Sequence, residues 1–190
     1  MISLSQAFQD LFALQIKDVG TYIEVGANLP KKGSNTYNLE VEKTWRGFSI
    51  ELDTTYKSKW DVLQERKNKV YWGDATTFDY ASAIKENNMP MHVTYLSCDI
   101  EPPENTFKAL KRIIEQGITF DCITFEHDAY QSNEDFNTIA TEFLLSHGYK
   151  IAISDVFFKT ENRMFETWYV LESINFKQQT FKDWKKENNL

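Results

Sequence analysis

The sequence predicts an α/β fold, with a mostly parallel sheet and helices on both faces. Three observations lead there. Apolar runs of strand length alternate along the chain with stripes of helical period. Residues 20–28 read as a buried strand that stops at a glycine and opens, through a loop to Gly33, into a helix capped by Ser34. A strand, a glycine turn and a helix form the ligand-binding corner of an open α/β sheet. Finally, each of the first five strands ends at an acidic residue or just before one: Glu24, Glu51, Asp74, Asp99 with Glu101, and Glu126 with Asp128.

In chain order, residues 3–17 place Leu4, Phe8, Leu11 and Phe12 on one stripe and predict an amphipathic helix. The first strand covers 22–25 and contains Glu24. A carboxylate at the end of an apolar strand costs free energy unless something pairs with it, and a cationic ligand would. A helix follows over 34–43, then a second strand over 47–50 that ends at Glu51. Tyr56, Trp60 and Leu63, spaced four then three, mark the next helix. The third strand, 69–72, leads into Gly73-Asp74-Ala75, and a helix over 80–86 stops at Asn87-Asn88-Met89-Pro90. The fourth strand, 93–98, runs into Asp99 and Glu101, where Pro102-Pro103 ends it. Pro103 suits the first position of the helix carrying Phe107, Leu110 and Ile114.

The fifth strand, 120–125, ends in Glu126-His127-Asp128. The clearest helical stripe is Phe136, Ile139, Ala140, Phe143 and Leu144, closed by Gly148. Strands over 149–153 and 166–171 complete the pattern. The polar stretch between them leaves no room for a crossover helix, which predicts an antiparallel edge pair. The tail, 176–190, is polar around Phe181 and Trp184 and finds no place in this scheme.

The 190 residues contain no repeat or linker and read as one domain, 1–190. A net charge of −7 gives no basic face, so nucleic acid is not expected as a partner. No stretch reads as a signal peptide or a membrane span. Cys98 and Cys122 each sit in an apolar strand. They read as buried thiols of a reducing compartment, which makes the cytoplasm the expected location.

Ligands of open α/β sheets bind outside the carboxyl ends of the strands, where the acidic residues collect. Glu51, one strand past the glycine turn, stands where a carboxylate can grip two ribose hydroxyls, and Gly26 allows close backbone approach. The run Gly26-Ala27-Asn28-Leu29-Pro30 lacks the second and third glycines of a dinucleotide fingerprint, so a pyrophosphate would be poorly cradled. That favours a nucleoside cofactor without pyrophosphate, such as S-adenosylmethionine, over NAD. His127 is the expected general base, with Asp99 and Glu126 beside it as further catalytic candidates. His92 and His147 read as structural. Asp99, Glu101, Glu126 and His127 could together hold a divalent metal, although a metal is not the favoured reading.

These motifs resemble the FkbM-type family of class I S-adenosylmethionine-dependent methyltransferases. The matching segments are residues 23–28, 33–37 and 45–51, with looser matches at 95–101 and 123–127. The resemblance implies a Rossmann-like, doubly wound sheet of seven strands whose last strand is antiparallel. It implies cofactor contacts at Gly26, Ala27 and Asn28, at Glu51 with the ribose, and at Asp74 and Ala75 with the adenine. Glu24, Asn35 and Asp99 join them as cofactor-binding positions. It also implies O-methylation of a small-molecule or carbohydrate hydroxyl. Pro30 stands where the general class I pattern has a further glycine, so residues 29–33 must form a wider loop. Two other readings compete: a non-catalytic module binding a nucleoside or S-adenosylmethionine, and an NAD-dependent oxidoreductase. With no separate cap domain expected, loops at 99–103, 127–133 and 154–165 would supply the acceptor site.

Overall fold

The computed structural model describes residues 2–128, 133–158 and 163–190; parts of two expected acceptor loops, 129–132 and 159–162, lie outside the described residues. The helices are α1 (Gln9–Ile16), α2 (Tyr37–Val41), α3 (Lys57–Val62), α4 (Tyr80–Glu86), α5 (Pro103–Glu115), α6 (Phe136–Ser146) and α7 (Phe181–Glu187). The strands are β1 (Thr21–Val25), β2 (Arg46–Glu51), β3 (Lys69–Trp72), β4 (His92–Cys98), β5 (Thr119–Glu126), β6 (Tyr149–Phe157), β7 (Met164–Leu171) and β8 (Gln179–Thr180). Among the described residues these strands form one sheet in the order β3-β2-β1-β4-β5-β7-β6-β8. The first five strands are parallel, as crossover helices require. Strand β7 runs antiparallel to both β5 and β6.

Alternation along each strand sends successive side chains to opposite faces. One face carries Ile23, Val25, Phe48, Ile50, Leu96 and Ile123, and is covered by Ala83 and Ile84 of α4, Leu110 and Ile113 of α5, and Ala140 and Leu144 of α6. The other carries Tyr22, Tyr95, Cys122 and Trp168, beneath Phe12 of α1, Leu39 of α2 and Trp184 of α7. The sheet is therefore doubly wound with helices on both faces.

The expected antiparallel pairing of the final two long strands is present, with β7 set between β5 and β6. Three sequence expectations are corrected. The sheet has eight strands among the described residues, not seven, because Gln179–Thr180 adds a short parallel strand beside β6. The first helix begins at Gln9, and Phe8 before it has a left-handed backbone, φ +71°. Residues 2–8 instead run as a strap along the mouth of the glycine corner. The Gly33 N–H donates to the Leu4 carbonyl at 3.0 Å, and the Asp10 carboxylate gathers the hydroxyls of Ser3 and Ser5. The tail is ordered into α7, whose Phe181 and Trp184 are buried against Trp168. No helix among the described residues is long and apolar enough to cross a membrane.

Candidate active site

The register across the sheet lines up the strand ends. Glu24 of β1 lies opposite Ser49 of β2 and Ser97 of β4. Two residues further on, the same face carries Glu51, Gly26, Asp99, Glu126 and Glu166 in a single row, with Glu126 and Glu166 directly paired between β5 and β7. A cavity of about 670 Å³ opens over this row at the carboxyl ends of β1 to β5. All nine positions expected at the cofactor line it: Glu24, Gly26, Ala27, Asn28, Asn35, Glu51, Asp74, Ala75 and Asp99. Glu101, Glu126 and Asp128 line it as well.

Gly26 sits at φ +85°, and a Cβ built on it would lie 1.7 Å from the Asp99 carbonyl oxygen. The space the glycine leaves is thus filled by the protein's own backbone, where the β1 and β4 ends converge, rather than kept for a ligand as the sequence suggested. The N–H groups of Gly26 and Ala27 both donate to the Ile50 carbonyl, at 3.0 and 3.2 Å, which locks the turn to β2.

Glu51 is pinned between two loops. Its Oε2 accepts the Asn28 N–H at 2.7 Å and its Oε1 accepts the Asp53 N–H at 2.7 Å. Each oxygen keeps a further lone pair. The Trp60 indole donates to the Asn28 carbonyl at 2.9 Å and steadies the same loop. Asp74 folds its own turn, accepting from the Thr76 N–H and hydroxyl at 2.8 and 2.7 Å.

Glu24 needs no cationic ligand. Arg66 lies 3.6 Å from its Oε2, Ser49 donates to Oε2 at 2.7 Å, and Ser34 donates to Oε1 at 3.4 Å. Burial raises the Glu24 pKa, with Arg66 pulling the other way. Arg66 also meets Glu40 at 2.7 Å. The sequence placed Arg66 in the polar run Gln64-Glu65-Arg66-Lys67-Asn68, which carries no periodic signal and gave no reason to single it out.

His127 corrects the expected base. It follows Glu126, and alternation turns it away: Glu126 lines the cavity, and His127 is not among the described residues that do. Its ring is buried, its Nδ1 has no partner, and burial pushes its pKa down to about 4. Asp99 and Glu126 remain from the expected catalytic set, and both line the cavity. Burial raises the pKa of both, and the Asp99 charge raises Glu126 further.

The expected metal group is also rearranged. Asp99 and Glu126 are joined by Glu166, not by Glu101 and His127, and one carboxylate oxygen from each of the three lies within 4.8 Å of the others. Burial pushes the Glu166 pKa up to about 8. The sequence showed Glu166 only as the start of a strand; without the β5–β7 register nothing linked it to Glu126. Asn35, which donates to the Ser97 hydroxyl at 3.0 Å, leaves its Oδ1 buried on the cavity wall with no partner.

Among solved structures, the chain is similar to the Methanococcus jannaschii fibrillarin pre-rRNA processing protein, with 18% identity over 83% of this chain and 68% of that one and a TM-score of 0.51. It is similar to Aeropyrum pernix fibrillarin in complex with natively bound S-adenosyl-L-methionine, with 14% identity, coverage of 86% and 73%, and a TM-score of 0.56. It is also similar to precorrin-6y C5,15-methyltransferase from Geobacter metallireducens, with 17% identity, coverage of 85% on both sides and a TM-score of 0.51. At these identities the likeness establishes the fold, the Rossmann-like α/β sheet seen in methyltransferases. No family model matches the chain. No curated protein sequence matches it either.

Proposed function

We propose that this protein is an S-adenosylmethionine-dependent methyltransferase of the FkbM type, acting on a hydroxyl of a small molecule or carbohydrate. The observation that carries the reading is Glu51, held by two backbone N–H groups at the end of β2 on the wall of a cavity with no dinucleotide glycine cradle. The cavity residues fit such a cofactor. Glu51 has lone pairs left for two ribose hydroxyls, and the unpartnered Asn35 Oδ1 calls for a donor such as the ammonium of the methionine part. Bound S-adenosylmethionine would supply an electrophilic methyl group. The similarity to a fibrillarin holding that cofactor supports this choice.

The chain's own part is to position the acceptor and receive its proton. Asp99 and Glu126, on adjacent strand ends at the cavity wall, are the groups we assign to that proton. With that methyl group supplied by a bound cofactor, the carboxylate pair would take up the proton that the acceptor hydroxyl gives up. His127, facing away, has no assigned step, so His127→Gln should transfer at close to the wild-type rate if the fold is kept.

Calorimetry with S-adenosylhomocysteine tests the cofactor. Glu51→Ala removes hydrogen bonds to a charged acceptor, each worth roughly 1.5–3 kcal/mol before water compensates. At least a tenfold weaker dissociation constant is expected. Binding unchanged by the substitution, or tighter binding of NAD than of S-adenosylhomocysteine, would reject the reading.

A further inference from the structure

We propose that Asp99, Glu126 and Glu166 form a hard-cation site beside the cavity that Asp99 and Glu126 line, one that would hold a divalent ion through carboxylate oxygens. The three residues come from adjacent strand ends, β4, β5 and β7, and the strand register puts them side by side on one face. One oxygen from each lies within 4.8 Å of the other two. Oxygens bound to one ion at about 2.3–2.6 Å stand at most about 5 Å apart, so the group can close on such an ion with the backbone where it is. An all-oxygen donor set selects hard cations over zinc or copper.

Two further observations separate this group from an ordinary acidic cluster. Glu126 is 8% exposed, and its Oε2 has no hydrogen-bond partner. A buried carboxylate oxygen without a donor is costly unless something positive reaches it. Arg66, a buried cation, is committed to Glu24 and Glu40.

Glu166 is also held as a ligand should be. The Gln9 amide donates to its Oε1 at 2.9 Å and the Trp168 indole donates to its Oε2 at 2.5 Å, fixing the carboxylate plane and leaving one lone pair on each oxygen. Those two donors come from α1 and β7, so the site has a rigid outer shell of its own. Each residue gives one oxygen to the ion, so the second oxygens of Asp99 and Glu126 stay available to a bound hydroxyl. The site stands whether or not the methyl-transfer reading does.

The test is Mn²⁺ uptake by the full chain, followed by electron paramagnetic resonance of the free ion, with Ca²⁺ as competitor and no cofactor present. Wild type should take up one Mn²⁺ per chain, release it to Ca²⁺, and melt at a higher temperature when loaded. Glu126→Gln and Glu166→Gln should each weaken uptake at least tenfold. Glu126→Gln keeps the side chain's size at an oxygen that has no hydrogen-bond partner to lose, so without metal it should melt no lower than wild type, which shows that its lost uptake is not lost folding. No uptake by wild type at millimolar Mn²⁺ would overturn the proposal. So would uptake or thermal stabilisation that survives both substitutions. S-adenosylhomocysteine calorimetry reads the cofactor assignment separately, because neither metal result depends on it.

Discussion

Arg66 carries five N–H donors into the interior, and each finds an acceptor. Glu40 and the Thr36 hydroxyl take two at 2.7 Å, the Tyr22 hydroxyl takes one at 2.9 Å, and Ser34 and the Pro30 carbonyl take the others at 3.2 and 3.3 Å. The guanidinium also lies 4.4 Å over the Trp60 ring. Arg66→Met would leave Glu24 and Glu40 buried without their cation, and should cost about 3–5 kcal/mol in urea unfolding at pH 7. The pH dependence has a definite sign. Burial acts to raise the Glu40 pKa, but Arg66 and the N–H groups of Asn68 and Lys67 outweigh it and hold it below the ordinary value. That contribution is present above the unfolded glutamate pKa, about 4.3, and fades as pH falls through the lower folded value. The Glu40 part of the Arg66→Met deficit should therefore hold from pH 7 down to about 4.3 and shrink as the measurement moves below it. A deficit that grew in acid would contradict the assignment. Gly26 gives a second prediction at this scale. A valine there would drive Cβ into the Asp99 carbonyl at φ +85°, so Gly26→Val should lose at least about 2 kcal/mol of folding stability, not ligand affinity alone.

The C-terminal helix α7 is a packing element that the sequence pattern could not place. Trp184 is 1% exposed, lies 5.2 Å edge-on from Trp168, stacks on Phe181 at 5.9 Å, and donates its indole N–H to Gln15 at 2.9 Å. Trp184→Ala should lower stability by about 3–5 kcal/mol, read by calorimetric unfolding; a near-neutral effect would mean that α7 does not hold this face closed. Elements with a strong period were legible. Strand β3 and helix α4 have the boundaries that the pattern gave, and the five acidic strand ends do meet in one cavity. What escaped was short or non-local. A two-residue strand such as β8 has no period to detect, and the strap at 2–8 is set by hydrogen bonds to Gly33 and Asp10 rather than by a stripe. His127 was misjudged because chain proximity to Glu126 says nothing about face, which only the strand register decides. Arg66 and Glu166 act across the fold, through partners 26 and 40 positions away, at Glu40 and Glu126.

At the scale of the whole molecule, charge and topology meet at one edge of the sheet. The chain carries a net charge of −7, and the cavity walls concentrate carboxylates around a single lysine, Lys32, among the lining residues. A concave, negatively charged mouth raises the local concentration of cations and repels phosphorylated or carboxylated molecules. The placing of β7 has a different consequence, which concerns synthesis. Strands β1 to β5 leave the ribosome in order, and each can dock on the growing sheet as it appears. The edge of β5 must then stay open until β6 has passed and β7 has turned back to fill the gap. During that interval the nascent chain exposes a row of unpaired backbone groups, the kind of edge that recruits other chains. Glu166 arrives with the strand that closes it. The carboxylate row is therefore completed in the same step that removes the hazard, and a half-made chain can neither finish the site nor protect its own edge.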